Sequence, residues 1–304
     1  MLRRLPFSFT RAAALTLGAG LAASTALFVG VSHLEYDNLA LSFGQRAEQR
    51  VATVRQGLHD AVEVVTVTNQ LFALGAPVTR AQFHDFTAPL LLRHPFIKAF
   101  NYHRIVPDSE RAAAEAELQL FIPGTVITDD LSGRRGPAAR RTEYSIVDYL
   151  VPLKGNEAAF GFDAATRPQI NSALARAHAD KRATATPLFP LVQDANPQPS
   201  FQVLLPVYDA KGQLTGDTAV VVRAQELVSM ALAGAGLLDD SQIVMSVYAG
   251  ARPEAADLVF TTSMDGARPA RELLGSWIAP EFDTRIARTL DVAGRPWLVE
   301  VGMK

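Results

Sequence analysis

Three consecutive patterns of hydrophobic and polar residues run along the chain. The first is an uncharged, apolar run over residues 12–32, preceded by basic residues and followed by acidic ones. Roughly 20 apolar residues cross a bilayer core, and positive charge marks the cytoplasmic side of such a span. The pattern predicts a cytoplasmic N-terminus over residues 1–11 and a transmembrane helix over residues 12–34. A signal peptide cleaved near Ser24-Thr25-Ala26 is the alternative interpretation.

The second pattern is a helical repeat within residues 35–75. Its members recur in alternating steps of four and three, which is the spacing of a coiled-coil seam. They are Ala47, Val51, Val54, Leu58, Ala61, Val65, Thr68 and Phe72. We expect a stalk helix whose seam pairs with a second copy of the chain in a homodimer. The alternative is an amphipathic helix that lies on its own domain.

The third pattern fills the rest of the chain, where alternating apolar residues predict strands and longer periods predict helices. Residues 141–152 and 200–208 alternate in this way, and residues 163–177 between them have the composition of a helix. Short strands joined by turns indicate antiparallel sheets, so the predicted fold class is α+β. We expect two such units in tandem, a membrane-distal one over residues 76–214 and a membrane-proximal one over residues 215–304.

Composition argues against several classes of protein. The net charge of −2 disfavours a nucleic-acid partner, because proteins of that class concentrate Lys and Arg on one surface. The chain has no cysteine, and its six histidines form no HExxH motif, so neither a metal site nor a cofactor is expected. GxSxG and P-loop motifs are also missing, and we expect no enzymatic activity.

A series of short motifs suggests a family. The motifs are Glu143-Tyr144, Tyr149, Pro152, Gly155-Asn156, Gly161, Asp163, Arg176-Ala177, Leu191-Val192-Gln193 and Leu205-Pro206-Val207-Tyr208. In order and spacing they resemble the CHASE domain, the extracellular sensor of bacterial and plant receptor kinases and nucleotide cyclases. The resemblance covers roughly residues 80–210. It implies a long N-terminal helix followed by two PAS-like domains, with the ligand held in the membrane-distal one.

The chain departs from the plant members of that family in the pocket region. Plant members bind cytokinins, and their pattern has a proline where this chain has Ile146. The segment Gly155–Asp163 has the form of the bacterial members instead, so a cytokinin ligand is not carried over. Thr186 lies about where the plant receptors place a pocket threonine, and it is a candidate ligand-binding residue by this resemblance.

Residue chemistry adds further candidates for the ligand site. Asp148 lies mid-strand among apolar neighbours and is expected to accept hydrogen bonds from a ligand, with a solvent-facing position as the alternative. Tyr149 and Phe201 are candidate walls for a flat ligand, with core packing as the alternative. Tyr102 and Leu205 complete the predicted ligand-binding set.

Three neighbouring residues are given a structural role. Arg141 and Glu143 are expected to form an ion pair that holds the start of their strand. Tyr144, directly after them, is either a wall of the ligand pocket or a core aromatic residue.

These observations predict a sensor in the inner, or cell, membrane, with one span and a periplasmic or extracellular domain. The expected partners are a small-molecule ligand, the lipid bilayer and a second copy of the chain. The chain is read as the sensory part of a receptor kinase or nucleotide cyclase that signals through the stalk. The alternatives are a ligand-free ectodomain that recruits a partner and a membrane-tethered hydrolase using Asp148 and Glu143. These two carboxylates lie five positions apart, so they point to opposite faces of a regular strand, which disfavours the hydrolase.

Overall fold

The computed structural model describes residues 11–72, 77–129, 136–190, 198–240, 242–262 and 285–303. The predicted cytoplasmic N-terminus and the Leu191-Val192-Gln193 motif lie outside these residues, except for Arg11. The helices are α1 (Arg11–Gln70), α2 (Arg80–Arg93), α3 (Arg111–Phe121), α4 (Pro168–Asp180) and α5 (Ala224–Gly234). The strands are β1 (Ile97–Pro107), β2 (Glu143–Val151), β3 (Thr184–Ala185), β4 (Phe189–Pro190), β5 (Pro199–Tyr208), β6 (Leu214–Arg223), β7 (Ile243–Tyr248), β8 (Leu258–Thr261), β9 (Arg285–Val292) and β10 (Arg295–Met303).

The strands form two antiparallel sheets, which confirms the predicted α+β class. The first sheet has the order β2-β1-β6-β5-β3, and β4 also pairs with β5. The second sheet has the order β8-β7-β10-β9. Helix α5 connects the two sheets, since it begins directly after β6 and ends before β7.

Strand β6 corrects the predicted boundary between the two units. The sequence pattern predicts that boundary between residues 214 and 215, at the start of β6. The structure instead places β6 in the middle of the first sheet, paired with β1 on one side and β5 on the other. Removing β6 would leave the backbone groups of both neighbours without their partners. The first unit therefore extends through Arg223, and the second begins with α5.

Helix α1 is continuous from its apolar start to the first sheet. Within Ala13–Gln70 it contains a segment that could cross a membrane, judged by length and composition. Near the apolar segment, Arg50 forms an ion pair with Asp240 of the second unit at 2.9 Å. Near the far end, the Asn69 Nδ2 atom donates a hydrogen bond to the Thr218 Oγ1 atom of the first sheet at 3.0 Å. The first unit therefore contacts the part of α1 that is farther from the apolar segment.

The predicted dimerisation seam of α1 is used within the chain instead. Seven of its members are buried against the chain's own sheets and α5; they are Ala47, Val51, Val54, Leu58, Ala61, Val65 and Thr68. The eighth, Phe72, is partly buried and stacks on Tyr102 of β1 with a centroid distance of 4.4 Å. The prediction that this seam pairs with a second copy is therefore wrong. A helix that covers its own core needs the same amphipathic stripe as one that pairs with a twin.

The contact between α1 and α5 depends on a glycine. A Cβ atom added at Gly57 would lie 3.2 Å from the Ala231 Cβ atom and 3.3 Å from the Leu227 Cδ2 atom. These distances are shorter than ordinary van der Waals contact, so the two helices can approach this closely only because the side chain is missing.

Gly57→Leu is expected to lower the free energy of unfolding by about 1–3 kcal/mol, because the larger side chain overpacks the helix contact. Thermal and urea unfolding of the full chain in detergent would measure the change. Gly44→Leu is the matched control on the same helix, since a Cβ atom added at Gly44 meets nothing within 4 Å. Equal stability of the two variants would show that the α1–α5 contact is not tightly packed.

Candidate functional site

Each central strand of the first sheet divides its side chains between two cores. In β6, Val220 and Val222 belong to the cluster that packs against α1, whereas Ala219 and Val221 belong to the cluster beneath α4. Successive side chains of a strand point to opposite faces, so the sheet has one face for each helix. The candidate site lies on the face turned away from α1.

A cavity of about 130 Å³ lies on this face, between the sheet and the start of α4. Its floor is formed by β1, β2, β5 and β6. Its roof is formed by the segment that precedes α4 and by the first turn of that helix. The lining residues in the described part of the chain are Lys98, Ala99, Asn101, His103, Val147, Leu150, Asn156, Ala159, Phe162, Ala164, Arg167, Gln169, Ile170, Phe189, Pro190, Gln202 and Val221.

Three buried polar side chains stand on the floor of the cavity. Asn101 and His103 come from β1, and Gln202 comes from β5; all three are at least 94% buried. Asn101 Oδ1, both ring nitrogens of His103 and Gln202 Oε1 have no hydrogen-bond partner within the described residues. Buried polar atoms are nearly always paired in native proteins, so four orphaned atoms beside one cavity call for an additional partner.

His103 is uncharged at neutral pH. Burial lowers its pKa to about 4, although the nearby Asp217 carboxylate opposes the shift. A neutral imidazole offers one N–H donor and one nitrogen acceptor. The floor of the cavity therefore presents amides and a neutral ring, and it can hydrogen-bond an uncharged group.

The rim of the cavity carries positive charge. Lys98 and Arg167 line it and are partly exposed, and no Asp or Glu is among the lining residues that the structure describes. Arg167 occupies the N-cap position of α4, and Pro168 follows at the first helical position. The Arg167 guanidinium lies 5.9 Å from the centroid of the Phe162 ring. The polar character of the cavity thus changes from cationic at the rim to neutral at the floor.

Behind the floor, Asp217 of β6 pairs with a histidine of α4. The Asp217 carboxylate is fully buried, and its Oδ1 atom lies 2.9 Å from His178 Nε2. This hydrogen bond raises the pKa of His178 above its usual value, while burial works in the opposite direction. In the sheet register Asp217 is also the partner of His103. The His178–Asp217 pair therefore ties the last turn of α4 to the strand beside the cavity.

None of the six residues predicted to bind the ligand lines this cavity. Tyr102, Asp148 and Tyr149 line a recess on the other face of the sheet, beside Phe72. The Asp148 carboxylate there is paired with Arg80, and with Arg104 at 3.0 Å between Nε and Oδ2. The buried charge is thus compensated inside the protein, and the solvent-facing alternative for Asp148 is wrong.

A β-bulge explains the placement of Asp148. Tyr102 pairs with Tyr149, but the next residue, His103, pairs with Val147, so Asp148 is the extra residue of β2. Strict alternation along β2 therefore fails at this point, and Val147 and Leu150 both face the cavity. Simple period-two counting cannot detect a bulge, because the extra residue shifts every later side chain to the opposite face.

The other three predicted ligand residues have structural surroundings. The Thr186 Oγ1 atom accepts a hydrogen bond from the Gln202 backbone N–H at 3.0 Å, so Thr186 holds the strand that carries Gln202. The Phe201 ring packs edge-on against Trp297 of the second unit with a centroid distance of 5.2 Å. Leu205 is partly buried and packs with the α1 side of the core.

The ion pair predicted between Arg141 and Glu143 is not formed. Glu143 is exposed, and Arg141 instead lies 3.8 Å from the buried Asp163 carboxylate. A buried carboxylate gains more from a nearby positive charge than an exposed one does, which favours Asp163 as the partner. Tyr144 is fully buried, and its hydroxyl donates a hydrogen bond to the Asp108 carboxylate at 2.8 Å.

The four residues that give the cavity its chemistry were not predicted. Asn101 and His103 occupy alternate positions of a strand that is otherwise largely apolar, and this was a usable signal for one polar face. Gln202 is a similar polar interruption in β5. Arg167 gave no comparable signal, because its location depends on how the loop before α4 folds over the sheet.

Stability is expected to fall as pH rises through the folded pKa of His178. Its pKa is raised in the folded state, so its contribution is fully present below the unfolded value near 6.5 and is lost above the folded value. Melting temperatures of the chain between pH 6 and pH 9 would measure this loss. His178→Gln should remove that slope, whereas His59→Gln, at an exposed position on α1, should keep it. An unchanged slope in His178→Gln would contradict the assignment.

Solved structures similar to this chain include two bacterial receptor domains. One is the ligand-binding domain of the Pseudomonas aeruginosa amino acid chemoreceptor PctC in complex with GABA, at 15% identity and a TM-score of 0.48, over 88% of this chain and 100% of that one. Another is the ligand-binding domain of the Pseudomonas fluorescens chemoreceptor CtaA in complex with L-serine, at 14% identity and a TM-score of 0.46, over 88% and 98%. No curated protein sequence matches the chain.

The sequence model of the CHASE domain matches residues 77–260. This range is more than half of the 304 residues and contains the whole first sheet, the cavity and part of the second sheet. It confirms the resemblance found in the sequence and extends it beyond residue 210, through α5 and most of β8. The chain belongs to the CHASE domain family.

Proposed function

We propose that this chain is a membrane-anchored sensor that binds a small ligand in the cavity between the first sheet and α4. One observation carries the proposal: three buried polar side chains on the cavity floor have hydrogen-bonding atoms without a partner among the described residues. A buried polar atom without a hydrogen-bond partner lowers the free energy of unfolding of a protein. A ligand that forms hydrogen bonds with these atoms would restore that stability.

The apolar N-terminal segment supports a location at the membrane. We propose that α1 anchors the chain in the inner membrane, with both sheets on the periplasmic or extracellular side. The basic residues before the segment and the acidic residues after it favour this orientation.

The sheet connects the cavity to α1. Val221 lines the cavity, while its neighbours Val220 and Val222 pack against the α1 side of the same sheet. A ligand that favours one packing of the sheet over another would shift α1 between two arrangements. We propose that this shift is the signal and that it serves a receptor kinase or nucleotide cyclase.

A second contact links the cavity region to the second unit. The Ala185 backbone N–H, at the edge of the first sheet, donates a hydrogen bond to the Ala293 carbonyl in the β9–β10 turn at 3.0 Å. The Arg176 side chain of α4 donates to the Ala185 carbonyl at 2.8 Å. Movement of α4 on ligand binding would therefore reach the second unit as well.

Homodimer formation and the lack of enzymatic activity remain part of this proposal. Because the α1 seam is covered within the chain, a homodimer would use another surface. The hydrolase alternative has little support, since Asp148 is paired with two arginines and Glu143 lies at an exposed strand end. A partner-recruiting ectodomain without a ligand is the second candidate, but it leaves the orphaned floor atoms without a role.

A compound that occupies the cavity is expected to raise the melting temperature of the full chain in detergent. Stabilisation grows with ligand concentration and reaches about 2.7 kcal/mol at a hundred times the dissociation constant. The panel would contain purines, amino acids, organic acids, indoles and simple aromatic alcohols and amines.

Two variants make this screen specific for the cavity. Ala159→Phe fills the cavity, since Ala159 lines it, and should abolish the rise in melting temperature. Ala113→Phe, at an exposed position of α3, should retain it. A rise that persists in Ala159→Phe would place the ligand elsewhere. A folded chain that responds to no compound would favour the partner-recruiting ectodomain.

A further inference from the structure

We propose that the ligand is a small carboxylate, with its charged group at the rim beside Arg167 and an uncharged hydrogen-bonding group at the cavity floor. This inference rests on the proposed function, because it names the ligand class of the same cavity. Its basis is the separation of charged and neutral polar groups along the depth of the cavity.

The lining disfavours a ligand with an ammonium group. Lys98 and Arg167 are the charged residues of the lining within the described part of the chain, and both are cationic. Two buried carboxylates of this unit have partners of their own. Asp217 binds His178. The Asp163 Oδ1 atom accepts hydrogen bonds from the Ser145 and Ala165 backbone N–H groups, and its Oδ2 atom lies 3.8 Å from the Arg141 Nε atom. Among the described residues that line the cavity none is acidic, so an ammonium group beside Arg167 would meet a positive charge there.

The rim offers an anion two complementary features. The Arg167 guanidinium has a planar set of donors that matches a carboxylate, and no carboxylate among the described residues lies within 4 Å of it. Gln169 and Ile170, in the first turn of α4, also line the cavity. The first turn of a helix has backbone N–H groups without helical partners and a partial positive charge. Both features favour negative charge at the same end of the cavity.

The floor requires a different group. His103 is fully buried and neutral, and Asn101 and Gln202 present carbonyl oxygens without partners. A charged group placed there would lose its hydration and gain no counter-charge. A hydroxyl can instead donate to an amide oxygen and accept from the N–H of the His103 ring, and an N–H group can donate to an amide oxygen.

Size and the apolar middle of the cavity restrict the body of the ligand. Between rim and floor the walls are Val147, Leu150, Phe162 and Ile170. An apolar cavity of about 150 Å³ holds benzene, so the 130 Å³ measured here accommodates a body of about six atoms. A single ring or a short chain with a carboxylate at one end and a hydroxyl at the other meets all three requirements.

Four probes with the same ring separate these requirements. Isothermal titration of the full chain in detergent would compare 4-hydroxybenzoate, benzoate, 4-hydroxybenzyl alcohol and tyramine. We expect 4-hydroxybenzoate to bind best. Benzoate should bind about tenfold more weakly, because it leaves the floor atoms unpaired. Tyramine, which carries an ammonium group on a two-carbon chain instead of the carboxylate, should show no binding.

Variants assign each end of the ligand. Arg167→Gln should weaken 4-hydroxybenzoate by tenfold or more and leave 4-hydroxybenzyl alcohol unchanged, because a charge-assisted hydrogen bond is lost. Arg93→Gln, at an exposed position of α2, is the matched control and should change neither. His103→Leu should remove the preference for 4-hydroxybenzoate over benzoate.

The outcomes distinguish this inference from the proposed function. If tyramine or another compound binds in a manner that Ala159→Phe abolishes, and no carboxylate does, the ligand class is wrong while the site stands. If 4-hydroxybenzoate binds equally to Arg167→Gln and to the unaltered chain, the rim assignment is wrong. If neither these probes nor the wider panel bind to the folded chain, both the inference and the proposed function fail.

Discussion

The structure depends on a sheet that is buried on both faces. Along its central strands, alternate side chains serve two separate cores, one shared with α1 and one beneath α4. A polar residue on either face must therefore find a partner inside the protein. On the α1 side, Asp148 is neutralised by Arg80 and Arg104, and Tyr149 donates its hydroxyl to the Val78 carbonyl at 2.7 Å. On the α4 side, the floor of the cavity has no such compensation within the described residues.

This difference between the faces suggests how one unit can be both rigid and responsive. The α1 face is closed by a long helix whose buried stripe packs against both units. The α4 face keeps a cavity whose floor has polar atoms without hydrogen-bond partners among the described residues, and in the function proposed above a ligand supplies those partners. Sites for ligands commonly sacrifice stability in this manner. Strand β6 connects the two faces, because Val221 lines the cavity while the adjacent Val220 and Val222 pack on the α1 side.

Much of the fold could be predicted from local patterns, and the site could not. The apolar span, the stripe from Ala47 to Thr68 and the antiparallel strands all follow from periodicity. Which surface covers that stripe does not, because a core-covering helix and a coiled coil have the same pattern. The site residues could not be predicted for a related reason. The bulge at Asp148 changes which face of the sheet the following β2 side chains occupy, and Arg167 reaches the rim because of how the loop before α4 folds. Membership of the CHASE domain family was recognisable because the order of its motifs survives such local shifts.

The central claim is that the polar floor of the cavity is reserved for a ligand. Gln202→Met tests it most directly, since the two side chains have similar shapes and only the amide is removed. We expect the ligand-free variant to melt at the same temperature as the unaltered chain or at a higher one, because a buried amide oxygen without a hydrogen-bond partner has been removed. A loss of about 1 kcal/mol or more of unfolding free energy would contradict the claim, because it would show that the Gln202 amide already stabilises the folded chain.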